Sequence, residues 1–454
     1  MTLRFFKITL ALMIMSFAAQ AQVVTRSEFA PYTQRKDADA RTHNDFDTYI
    51  KFDPGVGLSD QGEIIIAQTV NMPQKWIDEV VHFHVEAMDS AYTLWINEVQ
   101  VVTCEDTLTP TDYNISPYIK VGENTIFITY HPSNLDFLEQ GVERPLRSQF
   151  VGSYFYIQNK VRILDYQLTM TEHTGGEHGR LFIDVIVENR FNTPGTISVG
   201  YDVYDPAGKL HDYSNAQITL EGNTTDTITF APFFYGAKNY RWDPDASMAM
   251  RRVGQASART TDQPLYSLML FTRHNSVPNH FIPLNVGFTL PEYADGKITA
   301  WDKELKLKAA RYNATKSSRE AEVDLRKFKT QGYNTIQPDY PQPLWFYSLC
   351  DKLGLYVIEQ AAINAPTAAE DRTIGGTASN NPVLTAEYLE RVKKMYYRTR
   401  NFSCIVAYSL GGNSGNGYNM YKAYEWLKSV ETRRPVIYEG AQGEWNSDIL
   451  TIER

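Results

Sequence analysis

The chain has 454 residues, of which 43% are hydrophobic and 21% are charged, a composition typical of a folded globular protein rather than a disordered one. This length exceeds what one ordinary hydrophobic core holds, so the sequence predicts two or three domains. The 44 basic and 53 acidic residues leave a formal net charge of −9. An acidic surface repels phosphate backbones, which excludes nucleic acid as an expected partner.

Residues 1–21 have the features of an export signal. Arg4 and Lys7 provide the positive start, residues 8–17 are apolar, and Ala19-Gln20-Ala21 is a small-x-small cleavage site. The apolar run is too short to span a bilayer comfortably, and no later segment is apolar enough to be a membrane helix. We therefore expect a protein that is exported to the periplasm or to the exterior of a bacterium and does not span the membrane.

Two β-rich blocks follow the export signal. Over 63–131, short strands alternate with turns and no helical periodicity competes, which predicts a β-sandwich. Over 180–288, further strands are separated by turns such as Asp205-Pro206-Ala207-Gly208, which predicts a smaller immunoglobulin-like sandwich. We place these two domains at 22–160 and 161–290.

After about residue 297 the pattern changes to an alternation of strands and helices. The predicted strands are 305–310, 333–337, 354–360, 403–410 and 435–438, with 449–452 as a further candidate. The predicted helices are 319–331, 343–353, 385–399 and 418–430. Buried parallel strands joined by helices predict a (β/α) barrel over 291–454, with about six of the eight strands of a closed barrel.

The three cysteines, Cys104, Cys350 and Cys404, are widely separated and have no metal-ligand spacing. An odd number of cysteines leaves at least one thiol unpaired in an oxidising compartment. We interpret all three as packing residues.

Several motifs, taken in order, resemble those of glycoside hydrolase family 2, the group of β-galactosidases and β-glucuronidases. The similar segments are Trp95-Ile96-Asn97, Gly122-Glu123-Asn124, Val286-Gly287-Phe288, 339–357, 398–415 and 434–440. The resemblance implies a jelly-roll, sugar-binding-like first domain, an immunoglobulin-like second domain and a partial TIM-type barrel. It also implies the chemistry of a retaining β-glycosidase.

The resemblance places Asn413 where the family has its catalytic acid/base. A retaining glycosidase uses two carboxyl groups about 5–5.5 Å apart, one as acid/base and one as nucleophile. In the family the acid/base is a glutamate after the fourth barrel strand, and an amide in its place has no proton to give near neutral pH. The family's nucleophile follows the seventh strand, which this sequence does not reach before Arg454. The resemblance therefore implies a truncated, catalytically degenerate member.

Other family positions have changed together with Asn413. Metal-dependent relatives hold Mg²⁺ at the positions of Asn364, Pro366 and Asn413, and because these residues carry no charge we expect no cofactor and no metal site. The remaining departures from the family pattern are Asp339 and Asn313 at histidine positions, Ala314 at an acidic position and Gly141 at an aspartate position.

These departures favour an exported protein that has lost hydrolase activity and binds a glycan or a protein partner. The candidate sugar-binding residues are Trp345, Tyr340, Tyr408 and Asn313. Two missing barrel strands would leave exposed sheet edges. We therefore expect a protein partner or a second copy of the chain to close the incomplete barrel.

The alternative is an active β-glycosidase that hydrolyses O-glycosyl bonds of oligosaccharides with other carboxylates. Glu439, Glu359 and Asp339 are the candidates, with Glu444 nearby, because all are predicted to lie near strand ends. Catalytic residues of such barrels come from the carboxyl-terminal ends of the strands.

Overall fold

The computed structural model describes residues 23–45, 47–58, 64–88, 90–133, 135–143, 152–244, 262–274, 276–301, 303–315, 317–366, 373–449 and 452–453. The expected export signal therefore lies outside the described residues. The chain forms two compact units. The first comprises 1–24, 46–136 and 145–158, and the second comprises 25–45, 137–144 and 159–454. The second unit thus contains both the immunoglobulin-like sandwich and the barrel.

The described residues form six α-helices and several short 3₁₀-helices. The α-helices are α1 (Arg35–Ala40), α2 (Gln74–Asp78), α3 (Ser318–Thr330), α4 (Leu344–Leu353), α5 (Thr385–Thr399) and α6 (Tyr418–Val430). The 3₁₀-helices are Ser116–Tyr118, Asp136–Leu138, Ala237–Tyr240, Ala378–Asn380, Pro382–Leu384 and Glu439–Ala441.

The first unit is a sandwich of two five-stranded antiparallel sheets, in orders β1-β8-β5-β10-β2 and β3-β4-β9-β6-β7. Its strands are β1 (Val23–Val24), β2 (Tyr49–Lys51), β3 (Gly55–Leu58), β4 (Ile64–Met72), β5 (Val80–Val85), β6 (Tyr92–Ile96), β7 (Val99–Cys104), β8 (Thr111–Asn114), β9 (Gly122–Tyr130) and β10 (Tyr154–Gln158). Alternate residues of β5, such as Val81, Phe83 and Val85, pack into the core. The predicted first sandwich is confirmed.

The second unit begins with the smaller sandwich. Its strands are β11 (Val161–His173), β12 (His178–Asn189), β13 (Gly195–Tyr204), β14 (Leu210–Leu220), β15 (Thr224–Phe230), β16 (Phe233–Phe234), β17 (Tyr266–His274) and β18 (Val277–Val286). One sheet has the order β11-β12-β15, with β16 on β12, and the other β14-β13-β17-β18. A small sheet of β19 (Glu292–Ala294), β20 (Lys297–Ala300) and β21 (Lys303–Glu304) precedes the barrel.

Five parallel strands form the barrel sheet, in chain order. They are β22 (Ala309–Arg311), β23 (Thr335–Gln337), β24 (Tyr356–Gln360), β25 (Ile405–Ser409) and β26 (Val436–Ile437). Helices α3 to α6 alternate with them, as predicted, and the strands are shorter than the predicted ranges. Helix α3 begins with a capping box, in which Ser317 and Glu320 satisfy each other's backbone N–H groups.

The sheet edges differ from the prediction. Ile449 pairs in parallel with Ile437 on β26, and Glu453 pairs in parallel with Lys308 beside β22. The amide of Ala309 donates to the carbonyl oxygen of Glu453 at 2.8 Å. The expectation of two uncovered edges is therefore wrong at these positions, because the segment 449–453 supplies backbone partners to both outer strands from within the chain. Within that segment, residues 450–451 are not described.

Cys104, Cys350 and Cys404 are all buried free thiols, so the prediction that they are packing residues is confirmed. No helix among the described residues is both long enough and apolar enough to cross a bilayer.

Candidate functional site

The candidate site is the set of segments that follow the carboxyl ends of β22 to β26. In parallel barrels these ends meet on one face, where substrates bind. Arg311 ends β22, Gln337 ends β23, and Gln360 ends β24. All three side chains take part in one hydrogen-bonded network.

Asp339 is the centre of this network. Its Oδ1 pairs with Nη1 of Arg311 at 3.2 Å, and its Oδ2 accepts from the amide of Asn313 at 2.8 Å. Asn313 also accepts the backbone N–H of Asp339 at 2.8 Å. Both carboxylate oxygens of Asp339 are therefore engaged within the network.

Two glutamines extend the network into the barrel. The Oε1 atom of Gln360 accepts from Arg311 at 2.8 Å and from Gln337 at 3.1 Å. Its amide donates to the carbonyl oxygen of Asp339 at 3.0 Å. Gln337 and Gln360 are both buried and uncharged, and the Oε1 atom of Gln337 has no hydrogen-bond partner among the described residues. The first three strand ends thus carry one guanidinium, one carboxylate and several amides.

Glu359 precedes Gln360 on β24 and lies in a different environment. Its side chain is fully buried, and its Oε1 accepts the hydroxyl of Tyr347 on α4 at 2.8 Å. Its Oε2 has no hydrogen-bond partner. Burial raises the pKa of Glu359 to about 8, against the opposing effects of the Tyr347 hydrogen bond and Arg398. Because successive residues of a strand face opposite sides, Glu359 faces the helix layer while Gln360 faces the Asp339 network.

Asn364 follows β24 and lies against the loop after β25. Its backbone forms a parallel bridge with that of Glu139. Its side-chain amide donates a hydrogen bond to the carbonyl oxygen of Gln140. A Cβ atom at Gly412 would lie 2.2 Å from Oδ1 of Asn364. The family pattern has an asparagine at the position of Gly412, so the space for that side chain is here occupied by Asn364. Asn413, at the acid/base position, is exposed to solvent.

A buried ion pair holds the segment 137–143 at this strand end. Nη1 of Arg391 on α5 contacts Oε1 of Glu139 at 2.7 Å, and the two side chains are 0% and 1% exposed. The same guanidinium nitrogen donates to the carbonyl of Ala362 after β24 at 2.8 Å. Gly141 has a φ of 72°, a left-handed conformation that favours glycine over the aspartate of the family pattern.

The aromatic residues that were predicted to contact a sugar differ in how far they are exposed to solvent. Tyr408 is fully buried between Tyr396, with ring centroids 5.5 Å apart, and the guanidinium of Arg434 at 4.9 Å from its ring. The prediction that Tyr408 stacks on a sugar is therefore wrong in this structure, because β25 directs it into the helix layer. Tyr340 is also buried and donates its hydroxyl to the carbonyl of Glu143. Trp345, near the start of α4, remains partly exposed.

The remaining candidate carboxylate, Glu439, is exposed and begins the 3₁₀-helix after β26. Sequence reasoning missed an aromatic residue of the same loop, Trp445, which is 54% exposed. A tryptophan in a polar loop directly after a barrel strand, in the run Gly443-Glu444-Trp445-Asn446, is a signal that could have identified it.

The residues at the family's Mg²⁺ positions do not fit a hard cation. Asn364 is bonded to a backbone carbonyl, Pro366 has no donor atom in its side chain, and Asn413 is a neutral amide. Among the described residues, no cluster of three or more histidine, cysteine or acidic side chains is arranged to hold a metal ion. The absence of a cofactor stays a prediction.

Comparison with known proteins finds family matches for an amino-terminal and a carboxyl-terminal part of the chain. Residues 19–137 match the family model "Glycosyl hydrolases family 2, sugar binding domain", and residues 315–454 match "Glycosyl hydrolases family 2, TIM barrel domain". A β-galactosidase of Priestia megaterium is 25% identical over 85% of this chain and 37% of its own length. A β-galactosidase of Pectobacterium atrosepticum is 26% identical over 78% of this chain and 33% of its own length. The chain thus spans about a third of these relatives.

Solved structures show the same fold. The structure of a Bacteroides uniformis β-glucuronidase matches 92% of this chain and 52% of its own, with a TM-score of 0.66 and 15% identity. A β-glycosidase from Bacteroides vulgatus matches 88% of this chain and 49% of its own, with a TM-score of 0.64 and 17% identity. Together with the two family models, which cover more than half of the sequence, these matches show that the chain belongs to glycoside hydrolase family 2.

Proposed function

We propose that the chain binds carbohydrate at the carboxyl ends of β22 to β26 and does not hydrolyse glycosidic bonds there. The observation that carries this proposal is the state of the carboxylates. Asp339 is bonded through both oxygens, Glu359 is buried against α4, and the acid/base position is the amide of Asn413. Hydrolysis with retention of configuration needs a proton donor and a nucleophile that act on the same glycosidic bond. At the described strand ends, the acid/base position therefore has no carboxyl group, and Glu439 after β26 is an exposed candidate carboxylate.

Two features support carbohydrate as the ligand. The strand ends present the partly exposed side chains of Arg311 and Asp339, and side chains of these types donate to and accept from sugar hydroxyls. Asn313 and Gln360 are buried and hold these two residues in place. The first unit matches the family's sugar-binding domain. Because the relatives are named β-galactosidases and β-glucuronidases, β-galactosides and β-glucuronides are the first ligands to test.

One observation favours the second candidate, an active β-glycosidase. The raised pKa of Glu359, about 8, would keep this carboxyl protonated at neutral pH, as a general acid requires. Its position opposes this role, because the carboxyl is fully buried and bonded to Tyr347. A proton donor must come within hydrogen-bonding distance of the leaving oxygen.

The decisive experiment measures hydrolysis and binding on the same preparation. We expect no release from aryl β-galactosides, β-glucuronides or β-mannosides above a heat-inactivated control, and saturable binding of β-linked oligosaccharides by calorimetry. The variant Asn413→Glu should remain inactive, because Asp339 is bonded through both oxygens and Glu359 is buried against α4, so neither is placed to act as a nucleophile. Turnover that is abolished by Glu439→Gln, Glu359→Gln or Asp339→Asn would overturn the proposal in favour of the second candidate.

The proposal includes export. Mass spectrometry of the protein recovered from the periplasm or medium of an expressing bacterium should find a mature chain that begins at Gln22, whereas an intact Met1 would contradict cleavage. A protein rather than a glycan ligand would show as co-purification of a defined partner that added oligosaccharide does not displace.

A further inference from the structure

The loop after β26 presents an aromatic surface that the network around Asp339 does not use. All seven tryptophans lie among the described residues, and Trp445 is the one whose exposure exceeds half, at 54%. Trp76 and Trp242, by comparison, are fully buried. Exposing a large indole forgoes the free energy of its burial, so its position is a candidate for ligand contact.

Trp445 is supported on one side by two tyrosines of α6. Its ring centroid lies 5.1 Å from that of Tyr421, at an interplanar angle of 32°, and 5.5 Å from that of Tyr424, at 87°. Tyr421 in turn donates its hydroxyl to Glu444 at 2.6 Å, and Tyr424 donates to Asp448 at 2.6 Å. The indole is thus packed against a fixed surface while more than half of it remains accessible.

Polar side chains hold the rest of the loop in place beside the ring. Asn416 and Asn446 exchange two amide hydrogen bonds at 3.1 and 2.9 Å, and Asn446 is fully buried. Asn416 also donates to Oε2 of Glu444 at 3.2 Å. The two amides are thus used within the loop and hold the carboxylate of Glu444 beside the indole, so ordering the loop adds little to the cost of binding.

The chemistry of this surface matches a pyranose ring. A pyranose presents an apolar C–H face that packs on an aromatic ring and a rim of hydroxyls that bond to planar polar groups. The net charge of −9 and the adjacent Glu444 disfavour a strongly anionic ligand. Trp445 also follows β26, so it lies on the barrel face that carries Asp339 and Asn413.

We infer that Trp445 is a stacking platform for a neutral pyranose ring of a bound glycan, with Glu444, which Asn416 and Tyr421 hold in place, contacting its hydroxyls. This inference rests on the proposed carbohydrate binding and adds the residue that supplies the apolar contact. It predicts that the bound glycan has an uncharged sugar at this position, and that the contribution of Trp445 depends on its aromatic ring rather than on its bulk.

The test uses the full chain and neutral β-linked galacto-, gluco- and manno-oligosaccharides of increasing length, titrated by calorimetry. Trp445→Ala should weaken binding at least about tenfold, whereas Trp445→Phe should retain most of the affinity. Tyr213→Ala is the matched control, because Tyr213 is an exposed aromatic residue of β14, 67% exposed, and should have no effect. Thermal unfolding of each variant separates lost binding from lost folding.

The outcomes distinguish the two proposals. Equal affinity of the wild type and Trp445→Ala would refute the platform and leave carbohydrate binding intact. Loss in both Trp445→Ala and Trp445→Phe, with unchanged thermal unfolding, would also refute stacking as the source of the affinity. If the wild type binds none of the oligosaccharides, carbohydrate binding itself is contradicted, and the inference about Trp445 is refuted as well.

Discussion

Glu359 is a buried carboxyl group, and its replacement by glutamine should change how the stability of the protein depends on pH. The folded state holds this carboxyl with a pKa of about 8 because burial penalises the charged form. In the unfolded chain the pKa of a glutamate is about 4.3. Glutamine has nearly the same shape, keeps an oxygen to accept the Tyr347 hydroxyl, and carries no charge at any pH.

The sign of the effect follows from where the proton is bound. Between the two pKa values the folded protein keeps the Glu359 proton and the unfolded chain has lost it. The contribution of Glu359 to the free energy of unfolding is therefore greatest at acidic pH. It falls as the pH rises and levels off above the pKa of the folded state. The folding equilibrium changes about tenfold for each pH unit, so between about pH 5.5 and about pH 7.5 this group costs on the order of 3 kcal/mol.

Urea unfolding of the wild type and Glu359→Gln, in matched buffers at both pH values, measures this term as a difference. We expect the stability advantage of the variant over the wild type to be larger at about pH 7.5 than at about pH 5.5, by on the order of 3 kcal/mol. Asp351, whose pKa burial raises to about 7, adds a dependence of the same sign that both proteins share. Parallel pH profiles of the two proteins would show that Glu359 is ionised in the folded state, and would refute the reasoning.

Two further predictions concern the framework of the second unit. Arg391→Met should destabilise the protein by about 3–5 kcal/mol, because it leaves the carboxylate of Glu139 buried without its cation, and adding Glu139→Gln should recover much of the loss in a urea double-mutant cycle. An additive cycle would contradict a coupled pair. Ser317→Ala should cost about 1 kcal/mol by the same measurement, since it removes the capping box of α3, while Ser317→Thr keeps the cap; equal losses in both would contradict the capping role.

Much of the fold could be predicted from the sequence because local patterns determine it. The period-two alternation of strands such as β12 and the helical periodicity of α5 and α6 gave element types and nearly correct bounds. The barrel edges could not be predicted in the same way. Whether segment 449–453 pairs with both β26 and β22 depends on contacts between residues far apart in the chain, which no local pattern encodes.

The positions of several candidate residues along the strands could be predicted from the sequence, but the direction of their side chains could not. Motif alignment correctly placed Asp339, Glu359 and Tyr408 near strand ends. Whether a residue faces the barrel interior or the helices depends on the register of its strand, and a shift of one residue reverses the direction. That register buries Tyr408 and Glu359 in the helix layer and leaves Gln360 with the Asp339 network.

The charged positions of the barrel fall into two groups: those that hold the framework and those that carry catalytic carboxylates in family 2 enzymes. Charged residues that hold the framework are paired at short distances: Arg391 and Glu139 are both buried, and the partly buried Arg434 pairs with the buried Glu431. Catalytic carboxylates in a family 2 enzyme must instead stay close together with few partners, which costs stability. In a chain that does not hydrolyse glycosidic bonds, as we propose for this one, an amide such as Asn413 relieves that cost, whereas losing a framework charge would leave its buried partner unpaired. Stability alone therefore predicts amides at the strand ends and intact ion pairs behind them, as this chain has.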